Sequence, residues 1–326
     1  MNLKLRFFGT AIIALIAVAF LYNSIDNDSV FRGNSKAIGG VFYKMQFKYK
    51  SPLKRNLGPK MSSAVDPETG HLLEEEKSGL FHLVTTFVPF DHEDVRKGLL
   101  IKGLSPTDEE IKARMAEVFE CLKRNLENQL VSHVHVLVRR ESTIRRLKML
   151  DFKFIHKLVI HNNFASPSIK DNIDYAAKYL KGKTVMLLHQ DNLLGPGFEK
   201  VNHTVLRKKK LMYALTRHPA NCSASYASEH CGEGYRYVGS HDVFIFHVRG
   251  EFADDKLAEL NVPPNTFGME NVLLWIFKKR LAYKVLNPCK VLKVYHQHCI
   301  PVRDNWRKRI NRNGLNGGAS FTDKLE

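Results

Sequence analysis

The chain has 326 residues, a formal net charge of +17 and a hydrophobic content of 44%. That length supplies one large domain or two small ones with ample core, and the apolar content is ordinary for a globular protein. No Gly-x-x-x-x-Gly-Lys-Ser/Thr pattern is present, which argues against P-loop NTP hydrolysis. The basic clusters at 207–210, 278–280 and 303–312 come without a nucleic-acid-binding motif, so they read as attraction for anionic ligands rather than for nucleic acid.

In chain order, Lys4 and Arg6 precede an uncharged apolar run at 7–22. Apolar residues cover every face of that run, and its small-x-small triplet, Ala17-Val18-Ala19, falls inside the run rather than at a cleavage site before Asn23. It therefore reads as a transmembrane signal anchor, against a cleaved signal peptide or a buried helix. Residues 1–6 form the cytoplasmic tail in this reading. The anchored body then lies in the lumen of the early secretory pathway, on an ER or Golgi membrane. Residues 23–78, rich in Gly, Ser, Asn and Lys and without sustained periodicity, read as a flexible stem. Asn202 (Asn202-His203-Thr204) and Asn221 (Asn221-Cys222-Ser223) match the glycosylation acceptor pattern.

The folded domain is expected over 79–312. A strand at 80–88 is ended by Pro89, and Thr107-Asp108-Glu109-Glu110 is a capping box opening a helix to about 128. Strands follow at 131–138, 154–161 and 184–189, separated by helices at 143–150 and 168–179. Such alternation predicts an α/β fold, a mostly parallel central sheet with helices on both faces. The second half reads as a helix at 198–210, strands at 211–216 and 243–248, a helix at 269–279, and strands at 283–286 and 291–296. Residues 313–326 read as a disordered tail. Of five cysteines, Cys121 falls in the first amphipathic helix as a buried free thiol. An oxidising lumen would pair Cys222 with Cys231 and Cys289 with Cys299, against the alternative that all five are reduced.

The chemistry concentrates where strands end. The strand at 184–189 runs into Gln190-Asp191-Asn192 and a Gly-Pro-Gly turn, placing Asp191 at the sheet edge where α/β proteins bind ligands. A carboxylate there suits Mn²⁺ or Mg²⁺ on a departing diphosphate, and Asn192 can bond ribose or phosphate. Asp-Asn before Gly-Pro-Gly is also ordinary turn chemistry. Glu270, at a helix start after Gly268, can act as general base, or simply favour the helix dipole. His296 and His298, two apart on a strand, share one face and can complete a metal site; with Cys289 and Cys299 nearby, zinc is an alternative. Ser240, His241 and Asp242 are adjacent and cannot form a triad; Asp242 can instead line an acceptor pocket. Arg217, at a strand end, can neutralise phosphate.

With these residues the chain resembles GT-A-fold glycosyltransferases of the type II Golgi kind. Asp191, in His189-Gln190-Asp191-Asn192, matches the last acid of the Asp-x-Asp metal motif. Glu270, in Met269-Glu270-Asn271, looks like the acid of the x-Glu-Asp motif, and His296 or His298 matches the late metal-binding histidine. His189 and Asn271 depart from the pattern. The resemblance implies a nucleotide-sugar donor and a glycan, protein or lipid acceptor. Arg217-His218-Pro219, with Ser225-Tyr226, is similar to part of the 3'-phosphate segment of Golgi sulfotransferases, but the partner Pro-Lys-x-Gly-Thr loop is missing. A non-catalytic lumenal binding protein of the same fold is the third reading.

Overall fold

The structure is a computed structural model. It describes residues 79–91, 99–100, 105–162, 167–220, 231, 241–264, 266–300, 302–304, 310 and 314–326. The expected anchor at 7–22, the stem, Asn221 and Cys222 lie outside them. Among the described residues no helix is long and apolar enough to cross a membrane. The longest, Asp108–Glu127, spans 20 residues with three acids in its first turn. The expectation of a single-pass ER or Golgi membrane protein is therefore not supported by the structure.

The first half alternates as its periodicity dictates: β1 Phe81–Thr86, α1 Asp108–Glu127, β2 Val131–Val138, α2 Glu141–Lys148, β3 Leu158–Asn162, α3 Ile169–Tyr179 and β4 Thr184–Leu188. Thr107 caps α1 through the reciprocal box read from the sequence: its side chain accepts from Glu110 N at 3.2 Å, and Glu110 accepts from Thr107 N at 2.8 Å. The second half is more broken: β5 Asn192–Leu194, α4 His203–Lys209, β6 Leu211–Thr216, β7 His218–Pro219, β8 His241–His247, α5 Met269–Trp275, β9 Lys284–Asn287, β10 Val294–His296 and β11 Ser320–Phe321. The helix expected at 198–210 divides into a 3₁₀ turn, Phe198–Lys200, and α4, because Asn202 caps α4 by accepting from Val205 N at 3.1 Å. The end of the 269–279 helix is a π turn, Ile276–Arg280.

Eight strands form one sheet in the order β11-β9-β6-β8-β4-β1-β2-β3. Every pairing is parallel except the two made by β8, which runs antiparallel to β4 and β6. This mostly parallel α/β sheet is consistent with a GT-A-like fold. Alternate strand residues feed two cores. On one face Phe81, Leu83, Val134, Val136 and Met186 meet Met115, Val118 and Leu122 of α1 and Leu206 of α4. On the other, Val84, Leu137, Leu187 and Phe246 meet Ile173 and Ala176 of α3 and Val272 and Leu273 of α5. Each such buried aliphatic side chain contributes roughly 1.5–3 kcal/mol.

Two local expectations are corrected. The tail at 313–326 is not without structure: β11 extends the sheet beside β9, and Tyr213 Oη donates to Leu325 O. The disulfide of Cys231 is with Cys289, across 58 residues, so neither Cys222–Cys231 nor Cys289–Cys299 forms. The reason is topological: β7 lies beside the turn that follows β9, where His218 Nε2 donates to Cys289 O at 2.9 Å. Cys121 is buried and free, as read from the sequence.

Candidate functional site

The turn after β4 builds the site. Gly195 and Gly197 let a second chain segment pass almost in contact. A Cβ on Gly195 would lie 2.5 Å from the Tyr295 ring, and one on Gly197 would lie 1.8 Å from Val291 O. Gly197 also has φ +105, a region that glycine alone enters readily. Across this turn β5 pairs antiparallel with β10, Asn192 opposite His296, and Gln297 N donates to Asp191 O at 2.8 Å. The register, not the sequence distance of 105 residues, is what sets His296 Nε2 3.0 Å from Asp191 Oδ2.

Asp191, His296 and His298 each offer a ligand atom, and these atoms lie within 4.8 Å of one another. Two ligands on one small cation stand about 3 Å apart, which the Asp191–His296 spacing matches. His296 Nδ1 is buried without a hydrogen-bond partner. His298 Nε2 donates to Val302 O at 3.1 Å, leaving Nδ1 as its lone-pair atom. The donor set therefore fits a divalent ion, and its two imidazoles favour Mn²⁺ or Zn²⁺ over Mg²⁺.

Sequence reasoning missed a third party. Arg114 of α1, 2% exposed, donates from Nη2 to Asp191 Oδ2, and from Nη1 to Glu117 Oε2 at 2.7 Å and Gln297 O at 2.6 Å. Glu117 Oε1 accepts from Cys299 N at 2.9 Å and Ile300 N at 3.0 Å. Arg114 and Glu117 thus staple the 297–300 segment to α1, and Asn125, about two turns further along the same face, donates to Asn192 O at 2.8 Å. The available signal was a lone arginine on the apolar stripe of α1, between Ile111 and Met115. Burial raises the Asp191 carboxyl, but His296 and Arg114 outweigh it and hold the group well below the usual carboxylate range.

The remaining residues fall elsewhere. Asn192 is fully buried, its amide nitrogen 3.5 Å from Asp242 O and its Oδ1 without a hydrogen-bond partner. Gln190 clasps the end of β1 instead, bonding Val88 N at 2.8 Å and Val88 O at 3.2 Å. Arg217 Nη1 lies 3.3 Å from both Asp242 oxygens, a partly buried ion pair. Glu270 stands in the first turn of α5, after Gly268 at φ +81, and is outside the Asp191–His296–His298 group. Asn202 is exposed and spends its side-chain oxygen on the α4 cap.

No family model and no curated protein matches the chain. Solved structures resemble it at low identity. S. aureus TarS 1-349 is 11% identical, with TM-score 0.38, over 67% of this chain and 60% of that chain. The mannosyltransferase PcManGT from Pyrobaculum calidifontis, in complex with GDP-Man and Mn²⁺, is 10% identical, with TM-score 0.38, over 67% of this chain and 56% of that chain. A protein from Desulfovibrio desulfuricans G20 assigned as a nucleotide-diphospho-sugar transferase is 12% identical, with TM-score 0.38, over 64% of this chain and 78% of that chain.

Proposed function

We propose that the protein transfers a sugar from a nucleotide-diphosphate donor to a hydroxyl acceptor of a glycan, protein or lipid. One observation carries the reading: a carboxylate leaving the central strand of an α/β sheet meets His296, the last residue of a late strand, and His298 just beyond it, at the sheet's carboxyl edge, where such sheets bind ligands. Asp191, His296 and His298 would hold a divalent ion, which supplies positive charge to the leaving diphosphate. Arg114 fixes the Asp191 carboxylate and the backbone that carries both histidines. Glu270 takes the proton of the acceptor hydroxyl, and Asp242, oriented by Arg217, lines the acceptor side.

The Arg114 guanidinium favours a second reading. It already neutralises Asp191, so the fold can serve as a nucleotide-sugar binding protein without turnover. Arg217, spent on Asp242, weakens the sulfotransferase alternative. A thermal-shift panel decides: nucleotide sugars and 3'-phosphoadenylyl sulfate, each with and without Mn²⁺, followed by assay of released nucleoside diphosphate. Transfer predicts stabilisation by one nucleotide sugar, about 2.7 kcal/mol at a hundredfold excess over Kd, with nucleotide release. Stabilisation without release supports the binding protein. A panel in which no nucleotide sugar moves the midpoint sinks both readings.

A further inference from the structure

The face of the sheet under α3 carries a row of imidazoles that the site above does not use. His82 of β1 pairs with His133 of β2, and His135 follows two residues on, so all three rings share one face. Their centroids stand 5.6, 5.3 and 5.9 Å apart. Zinc–nitrogen bonds of about 2.0–2.1 Å place two ligand nitrogens of a tetrahedral site about 3.3 Å apart and their ring centres roughly 5 Å apart. His82 Nδ1 and His135 Nε2 are already 3.0 Å apart.

The outer nitrogen of His135 is held as a ligating histidine requires. His135 Nδ1 is 2.8 Å from Tyr175 Oη, which is 2.5 Å from His161 Nε2. With His135 Nε2 as a lone pair, Nδ1–H donates to Tyr175, and the Tyr175 hydroxyl donates to His161. His133 Nδ1, 2.9 Å from Ser132 Oγ, donates there and leaves Nε2 open. In the metal-free protein His82 Nδ1–H donates to His135 Nε2, and binding of a metal there moves that proton to His82 Nε2. Burial keeps these imidazoles in the neutral, ligating form: His82 is lowered to about 4 and His135 to about 3, and His133 is lowered as well. The basic side chains that bear on them are Lys183 on His82, and Lys157 with His156 on His133, while His135 faces His82, His133 and His161.

We propose that His82 Nδ1, His133 Nε2 and His135 Nε2 bind a zinc ion, with water in the fourth position. The group is not preassembled. His133 stacks on His82 at an interplanar angle of 13° and turns about its side-chain bonds to bring Nε2 in, exchanging its present Ser132 contact for the metal. His82 and His133 are only half-buried, which leaves a path from solvent. The ion sits near the amino ends of β1 and β2, at the opposite end of the parallel strands from Asp191. It clamps that strand pair rather than serving the reaction edge. Imidazole-only ligation selects zinc over magnesium.

The test uses the full chain, stripped of metal and titrated with Zn²⁺ by mass-spectrometric metal content and with Co²⁺ by visible absorption. To set aside the Asp191 group, the background is His296→Ala with His298→Ala. That background should keep one equivalent of four-coordinate Co²⁺. Adding His133→Ala should weaken its binding at least a hundredfold while leaving the metal-free unfolding midpoint where it was. In the otherwise unaltered chain, His133→Ala should lower bound zinc by one equivalent. Background protein that takes up no metal, or a His133→Ala variant that binds as its parent does, overturns the proposal.

Discussion

Replacing Asp191 with Ala should destabilise the protein, whatever it does to activity. Asp191 and Arg114 are 7% and 2% exposed, and Arg114 Nε already lacks a partner. Breaking a buried pair costs about 3–5 kcal/mol, because it strands the other charge. Glu117 still accepts from Arg114, so the low end, about 3 kcal/mol, is expected. For a domain of this size that lowers Tm by roughly 6–12 °C. The folded carboxyl lies well below its ordinary value, so the pair's contribution is complete above the unfolded pKa of about 3.9. It is lost only as pH falls through the folded value. The gap between parent and variant should therefore hold from pH 5 to 8 and close in strong acid. Urea and thermal unfolding of Asp191→Ala, Arg114→Met and the double variant measure the coupling directly. The double variant should lose less than the sum of the singles. A Tm for Asp191→Ala within about 2 °C of the parent would mean the pair is solvated, and the argument from burial would fail. Lost turnover in Asp191→Ala is evidence for chemistry only when its Tm is matched against such controls.

Two further outcomes follow from the packing. Gly197→Ala puts a Cβ 1.8 Å from Val291 O at φ +105, which costs about 3 kcal/mol or more. Because β10 rests on that turn, metal uptake at Asp191 should fall with stability, and a folded Gly197→Ala with unchanged Mn²⁺ binding would contradict the close approach. His241 is buried, and desolvation lowers it from 6.5 to about 4, which at about 1.4 kcal/mol per unit is worth about 3 kcal/mol. The unfolded chain binds the extra proton, so this stability is complete above pH 6.5 and drains as pH falls toward 4. His241→Phe should flatten Tm against pH across that window; an unchanged slope would mean His241 is solvated.

The alternation of strand and helix was legible because the period of apolar residues is a local property. So was the Thr107–Glu110 box, whose partners are three residues apart and meet as soon as the helix turns. Asp191 could be placed at a strand end for the same reason. Where the second half departs from its reading, the elements are short, and their signals fall below any period: β5 has three residues, β7 and β11 two each.

By itself, then, the sequence determined the α/β class, the position of Asp191 at a strand end and the Gly-Pro-Gly turn that follows it. Tertiary structure decided the rest. It reversed β8 between β4 and β6, joined Cys231 to Cys289 rather than to a nearer cysteine, and ordered the tail as an edge strand. It also brought Arg114 onto Asp191 from 77 residues away. Local pattern fixes which way a side chain points from its own element. Which elements then face one another depends on how two apolar cores close on a shared sheet, and no spacing along the chain records that choice.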